Sequence, residues 1–132
     1  MDHHCIWLGN CVFFTNTKLF VHFLVVTFGY TLQTLTLMVV HLPEIVSKRG
    51  ASLLMCFLGC VLGIMAVFVL FECYRLISDQ YEALKDNQTL VEGYKYSKGV
   101  QIPFAESFKA CFGDRWYWWI LPIQYPFRAN IL

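Results

Sequence analysis

Two long stretches without a formal charge dominate the sequence. From Leu19 to His41 there is no Lys, Arg, Asp or Glu, and none again from Ala51 to Phe71. Crossing the roughly 30 Å hydrocarbon core takes about 20 helical residues, and each run is long enough. Burying both as core helices of a soluble domain would need far more surrounding chain than 132 residues supply. Charged residues make up only 14% of the chain, against about a quarter in soluble domains. The expected fold is therefore an all-α membrane protein. It has two transmembrane helices, a loop-rich Cys/His cap before them, and a helical, aromatic-rich cytosolic tail after them.

The expected segments are a cap over 1–18, a span over 19–41, a loop over 42–50, a span over 51–72 and a tail over 73–132. Basic residues orient them. Lys18 precedes the first span, Lys48 and Arg49 lie in the loop, and seven more follow the second span. The positive-inside rule then puts both termini in the cytosol and the short loop in a lumen or outside. No cleavable signal peptide is expected, because Asp2 and His3 follow Met1 directly. Net charge is +1, so electrostatics calls for no nucleic acid; the partner implied is the lipid bilayer.

Within the spans, Gln33 and Thr36 are expected to face a partner helix or a pocket, although threonines also bond back to their own helix. Pro43 and Gly50 bracket the loop. Gly59 and Gly63 have the spacing that lets helices approach closely, extended by Cys56 and Cys60. Beyond Phe71 the helix should continue, since Ile77, Tyr81 and Leu84 recur at helical spacing, and should stop near Asp86-Asn87. Thr89 and Glu92 form a capping box for a short helix to about Lys95. Phe104, Phe108, Cys111 and Phe112 share a face of a later helix that Gly113 ends. Trp116 to Pro122 is too short to span and suits the membrane–water interface. Cys73 is either a juxtamembrane palmitoylation site or a thiol without a role.

Chemistry is concentrated at the start. Cys5 is a potential nucleophile, His3 could take its proton and Asp2 could orient the imidazole. Adjacency does not guarantee that geometry, and His4 could serve instead. Equally, His4 and Cys11 are ligands suited to zinc, though four ligands are not gathered nearby. The residues alone leave catalysis, a metal site and coincidence open.

Asp2-His3-His4-Cys5-x-Trp7-Leu8-x-Asn10-Cys11-Val12, with Asn16 and Phe20, resembles the core of the zinc-finger DHHC family of protein S-acyltransferases. Thr89 to Glu92 is similar to that family's T-T-x-E motif, and Phe108 to Pro122 to its C-terminal segment. The resemblance implies that Cys5 takes an acyl group, usually palmitoyl, from acyl-coenzyme A. It then passes the group to cysteines of substrate proteins at the cytosolic face. His3 is then the base, held by Asp2; His4 and Cys11 are zinc ligands; Trp7, Phe20 and Phe23 line the acyl slot. Golgi or endoplasmic reticulum is the implied location.

Three departures accompany the likeness. The family's remaining zinc ligands and first two transmembrane helices would lie before Met1, so a truncated form is expected. Phe13 stands where the family has glycine, which would strain that turn if a left-handed backbone were needed. Leu90 replaces the second threonine of T-T-x-E. The rival reading is a catalytically inactive, truncated membrane scaffold. A zinc-dependent hydrolase is a third, but it lacks His-Glu-x-x-His.

Overall fold

The computed structural model describes residues 1–49, 52–89, 91–92 and 102–123. Their elements are β1 (His3–Cys5), β2 (Asn10–Val12), α1 (Thr17–Arg49), α2 (Leu53–Asp86), α3 (Phe104–Phe112) and α4 (Trp116–Ile120). They form two compact units, one of Met1–Phe23 with Ile77–Leu132, the other of Leu24–Leu76.

The first unit begins with a short ladder where the sequence predicted loops. β1 and β2 pair antiparallel, with His3 opposite Val12, His4 opposite Cys11 and Cys5 opposite Asn10. Gly9 makes the return possible. Its φ of +60° lies in the left-handed region, which a side chain disfavours. Asn16 then turns the chain into α1. Its Oδ1 accepts the Phe13 N–H at 2.6 Å and its Nδ2 donates to the Cys11 carbonyl at 3.1 Å. Phe13 itself carries no left-handed backbone and its side chain is exposed. The strain expected there is absent, because the turn is made by Asn16.

The same unit holds the end of α2 and the tail. Asn87, at φ 48°, closes α2 while the Gln88 N–H reaches back to the Ala83 carbonyl at 3.0 Å. The capping box is present. Thr89 N–H donates to Glu92 Oε2 at 2.9 Å, and Glu92 N–H donates to Thr89 Oγ1 at 3.2 Å. The rest of the helix expected to Lys95 lies outside the described residues, as does Leu90. α3 ends at Gly113, φ 97°. The Gly113 carbonyl accepts Trp119 Nε1–H at 2.9 Å, and the Phe108 ring meets Phe112 at 4.6 Å and Trp119 at 5.2 Å.

The second unit is built differently. Its two helices are long and apolar enough to cross a membrane. Many of its large apolar side chains are exposed, Val26, Val39, Phe57 and Ile64 among them. Thr31, Thr34 and Thr36 each donate to the carbonyl four residues earlier, at 2.7, 2.9 and 2.9 Å. Thr36 bonds back to its own helix, and Gln33 is exposed. Gly59 and Gly63 face Met38, whose Cε lies 3.3 Å from where a Gly59 Cβ would stand. Leu35, Met38, Gly63 and Val67 help line an open apolar groove of about 550 Å³ there. Cys60 lines that groove with Gly59 and Gly63, Cys56 and Cys60 are both exposed, and Cys73 is buried.

The expected loop over 42–50 is helical as far as Arg49, with Pro43 inside the helix. A mid-helix proline loses one hydrogen bond and costs about 3 kcal/mol. α1 nevertheless runs through it to Arg49.

Candidate active site

β1 sets the arrangement. Side chains alternate along a strand, so His3 and Cys5 take one face and His4 the other. The first face is the buried one, with Cys5 5% exposed, and Asp2 just before the strand is 4% exposed. The Asp2 N–H extends the ladder to the Val12 carbonyl at 2.8 Å. The Asp2 carboxylate is held at one oxygen by two donors. Oδ2 accepts from His3 Nδ1 at 2.8 Å and from Gln80 Nε2 at 2.9 Å.

An ionised carboxylate only accepts hydrogen bonds. Its contact therefore places a proton on Nδ1 and, in the neutral ring, leaves Nε2 bare. His3 Nε2 is buried and has no hydrogen-bond partner among the described residues. An orphaned buried polar atom costs about 1–3 kcal/mol; here it is the nitrogen a general base would use. Phe20, 3% exposed, packs edge-on against the His3 ring at 5.1 Å and fixes its plane.

On the other face, His4 and Cys11 sit directly across the ladder, with Nδ1 3.3 Å from Sγ. Two ligands on a tetrahedral zinc, at about 2.0 and 2.3 Å from the metal, would stand about 3.5 Å apart. The pair fits two corners of such a site. Among the described residues no group of three His, Cys, Asp or Glu side chains could hold a metal. A closed tetrahedral site would need two further ligands besides this pair.

The remaining predicted residues are partly gathered. Asn10 accepts the Cys11 N–H through Oδ1 at 2.8 Å, and Asn16 braces the turn. Of the three expected acyl-slot aromatics, Phe20 is taken up against His3, while Trp7 and Phe23 are 69% and 45% exposed. Thr89 and Glu92 lie close to Asp2: a cavity of about 210 Å³ is lined by Asp2, Thr17, Gln80, Leu84, Thr89 and Glu92. The Thr89 backbone N–H, and next its hydroxyl, hold the Glu92 carboxyl below its ordinary pKa.

Two residues escaped the sequence reading. Gln80 lies between Ile77 and Leu84 on the helical stripe, and an uncharged polar residue there was the available signal. Lys18, read only as a topology charge, is 2% exposed. Its ammonium donates to the Ile123 carbonyl at 2.7 Å and stands 5.7 Å from the Trp118 ring centroid. Cys111 is packed as expected. Burial pushes its thiol up to about 12, with the Lys18 charge pulling the other way.

The family model described as DHHC palmitoyltransferase matches residues 1–97. This chain belongs to the DHHC palmitoyltransferase family. It is 30% identical over 133 residues to palmitoyltransferase ZDHHC15 of Homo sapiens, covering 93% of this chain and 39% of that protein. It is 30% identical over 136 residues to probable protein S-acyltransferase 12 of Arabidopsis thaliana, covering 93% and 45%. With palmitoyltransferase ZDHHC2 of Homo sapiens it shares 29% over 134 residues, covering 93% and 36%. The DHHC chain described here therefore spans less than half the length of these relatives. As a DHHC chain with two apolar helices it is an all-α membrane protein, its cap ordered by a two-stranded ladder.

Proposed function

We propose that this chain carries the acyl-transfer centre of a protein S-palmitoyltransferase, with Cys5 as nucleophile, His3 as base and Asp2 as its orienter. The observation that carries this reading is the Asp2–His3 hydrogen bond at 2.8 Å beside a bare, buried Nε2, on the strand face of the buried Cys5. His3 Nε2 takes the proton from the Cys5 thiol, and the thiolate attacks the thioester carbonyl of palmitoyl-coenzyme A. The coenzyme A thiol departs with that proton, leaving a thioester on Cys5. In the second half, His3 deprotonates a substrate cysteine. That thiolate attacks the Cys5 thioester, and Cys5 leaves and regains its proton. Asp2 stabilises the imidazolium that forms in each half.

His4 and Cys11 would hold a zinc ion together with ligands from elsewhere, and the metal would supply a rigid cross-link behind β1 and β2. The exposed aromatics Trp7 and Phe23 suit the acyl chain, and Phe20 the imidazole. Asn10 and Asn16 shape the loop, and Thr89 with Glu92 caps the segment beyond α2. The placement of Lys and Arg supports both ends lying in the cytosol, where the substrate cysteines are. Golgi or endoplasmic reticulum membranes fit the family.

The second reading, a catalytically silent membrane scaffold, draws on the two-ligand set at His4 and Cys11. The test is to offer clickable palmitoyl-coenzyme A to the chain in lipid nanodiscs. The proposal expects a hydroxylamine-sensitive label on Cys5 that is lost in Cys5→Ser. An unlabelled wild-type chain supports the scaffold.

A further inference from the structure

We propose that Gln80 is a positioning residue for the acyl-transfer centre, setting the Asp2 carboxylate so that His3 presents its bare nitrogen to Cys5. The inference rests on the reading of Asp2, His3 and Cys5 given above.

Gln80 is 3% exposed and lies 78 residues from Asp2 in sequence. Burying a glutamine side chain sacrifices about 1.5–2 kcal/mol of rotamer freedom, against about 0.5–1 kcal/mol for a leucine. The compensation is a single contact, Nε2–H to Asp2 Oδ2 at 2.9 Å. It falls on the same oxygen that receives His3 Nδ1 at 2.8 Å. A second donor from a separate helix selects one oxygen and fixes the plane.

The residue type suits the task. An amide donates without charge, so it holds Asp2 without neutralising it, and the carboxylate keeps its full attraction for the imidazolium that forms at His3. A lysine or arginine in its place would form an ion pair and draw the carboxylate off the ring. A glutamate would offer no donor and would repel Asp2. The α2 segment from Ile77 thereby contributes a group one hydrogen bond away from the reacting residues.

The test uses the full chain in nanodiscs, with Gln80→Met, which keeps length and loses the donor, and Gln80→His, whose imidazole N–H has similar reach. Two readouts are taken: steady-state formation of the Cys5 thioester, and the ¹⁵N shifts of the His3 ring. Gln80→Met should lower kcat about tenfold through misorientation, with KM for palmitoyl-coenzyme A unchanged. Its His3 nitrogen shifts should report mixed tautomers. Gln80→His should regain most of the rate and the single Nδ1–H tautomer. Wild-type kcat and shifts in Gln80→Met, or equal losses in both variants, overturn the inference. A label that persists in Cys5→Ser overturns the acyl-transfer reading instead. In that case the His3 shifts alone decide whether Gln80 positions Asp2.

Discussion

The two units solve the polar-group problem in opposite ways. In the unit of Met1–Phe23 and Ile77–Leu132, most buried polar side chains are matched by named partners: Asp2 by His3 and Gln80, Thr17 by the Phe13 carbonyl, Lys18 by the Ile123 carbonyl, with Ser107 Oγ left unpartnered among the described residues. In the unit of Leu24–Leu76, three threonine hydroxyls turn back onto their own helix and apolar side chains face outward. Directional bonds between distant residues specify the first unit. Helix formation and an apolar surface suffice for the second, because hydrocarbon demands only that each backbone group be paired. The first should therefore be brittle to single substitutions and the second tolerant.

The largest break is expected at Asp2→Asn. The amide can accept from His3 Nδ1 or donate to it, so the wrong tautomer becomes available. Losing such an orienting carboxylate lowers turnover by as much as ~10⁴-fold in a comparable triad. Thioester formation on Cys5 measures it, with retained zinc-independent secondary structure by circular dichroism as the control. Next comes Phe20→Ala, which removes a buried ring against His3. Loss of about 3–5 kcal/mol is expected, read as a lower denaturation midpoint. An equally large change from Val26→Ala or Val39→Ala, both exposed in the second unit, would erase the contrast.

Cys111 supplies a chemical test of the same contrast. With its thiol pushed up to about 12 by burial, it should resist iodoacetamide at pH 8 in the native chain and react once unfolded. The unfolded thiol ionises near pH 8.5. Between there and the folded value, unfolding releases a proton, so the stability of this region falls as pH rises. Thr89→Ala is a smaller break, about 1 kcal/mol for a lost cap. The Glu92 half of that cap depends on acid in the other direction. Its carboxyl is held below the ordinary value, so its contribution is complete above about pH 4.3. It fades as pH falls through the lower folded value. Amide exchange at Val91 and Glu92 against pH measures this, and exchange unchanged in acid would contradict the cap.

Legibility in the sequence follows the same division. The spans could be read because a bilayer asks only for length and apolar composition, which Leu19–His41 and Ala51–Phe71 display. The capping box and the Gly113 stop could be read because partners lie within a few residues. The β1–β2 ladder could not, since strands of three residues are too short to show alternation. Pro43 misled because α1 tolerates the one hydrogen bond it loses and continues to Arg49. Gln80 and Lys18 stayed hidden for a geometric reason: their partners lie 78 and 105 residues away, and no local pattern encodes such a contact. At the site itself, the resemblance assigned roles to Asp2, His3, His4, Cys5 and Cys11. The ladder supplied what the sequence alone lacked, namely alternation that separates His3 and Cys5 from His4.

The central claim is that Cys5 becomes acylated with His3 as its base. Mass spectrometry of the nanodisc-embedded chain after incubation with palmitoyl-coenzyme A tests it most directly. One hydroxylamine-labile palmitoyl group is expected on the peptide containing Cys5, absent in Cys5→Ser and strongly reduced in His3→Ala. A palmitoyl group on Cys5 that forms at the same rate in His3→Ala, or one that forms only on other cysteines, would contradict it.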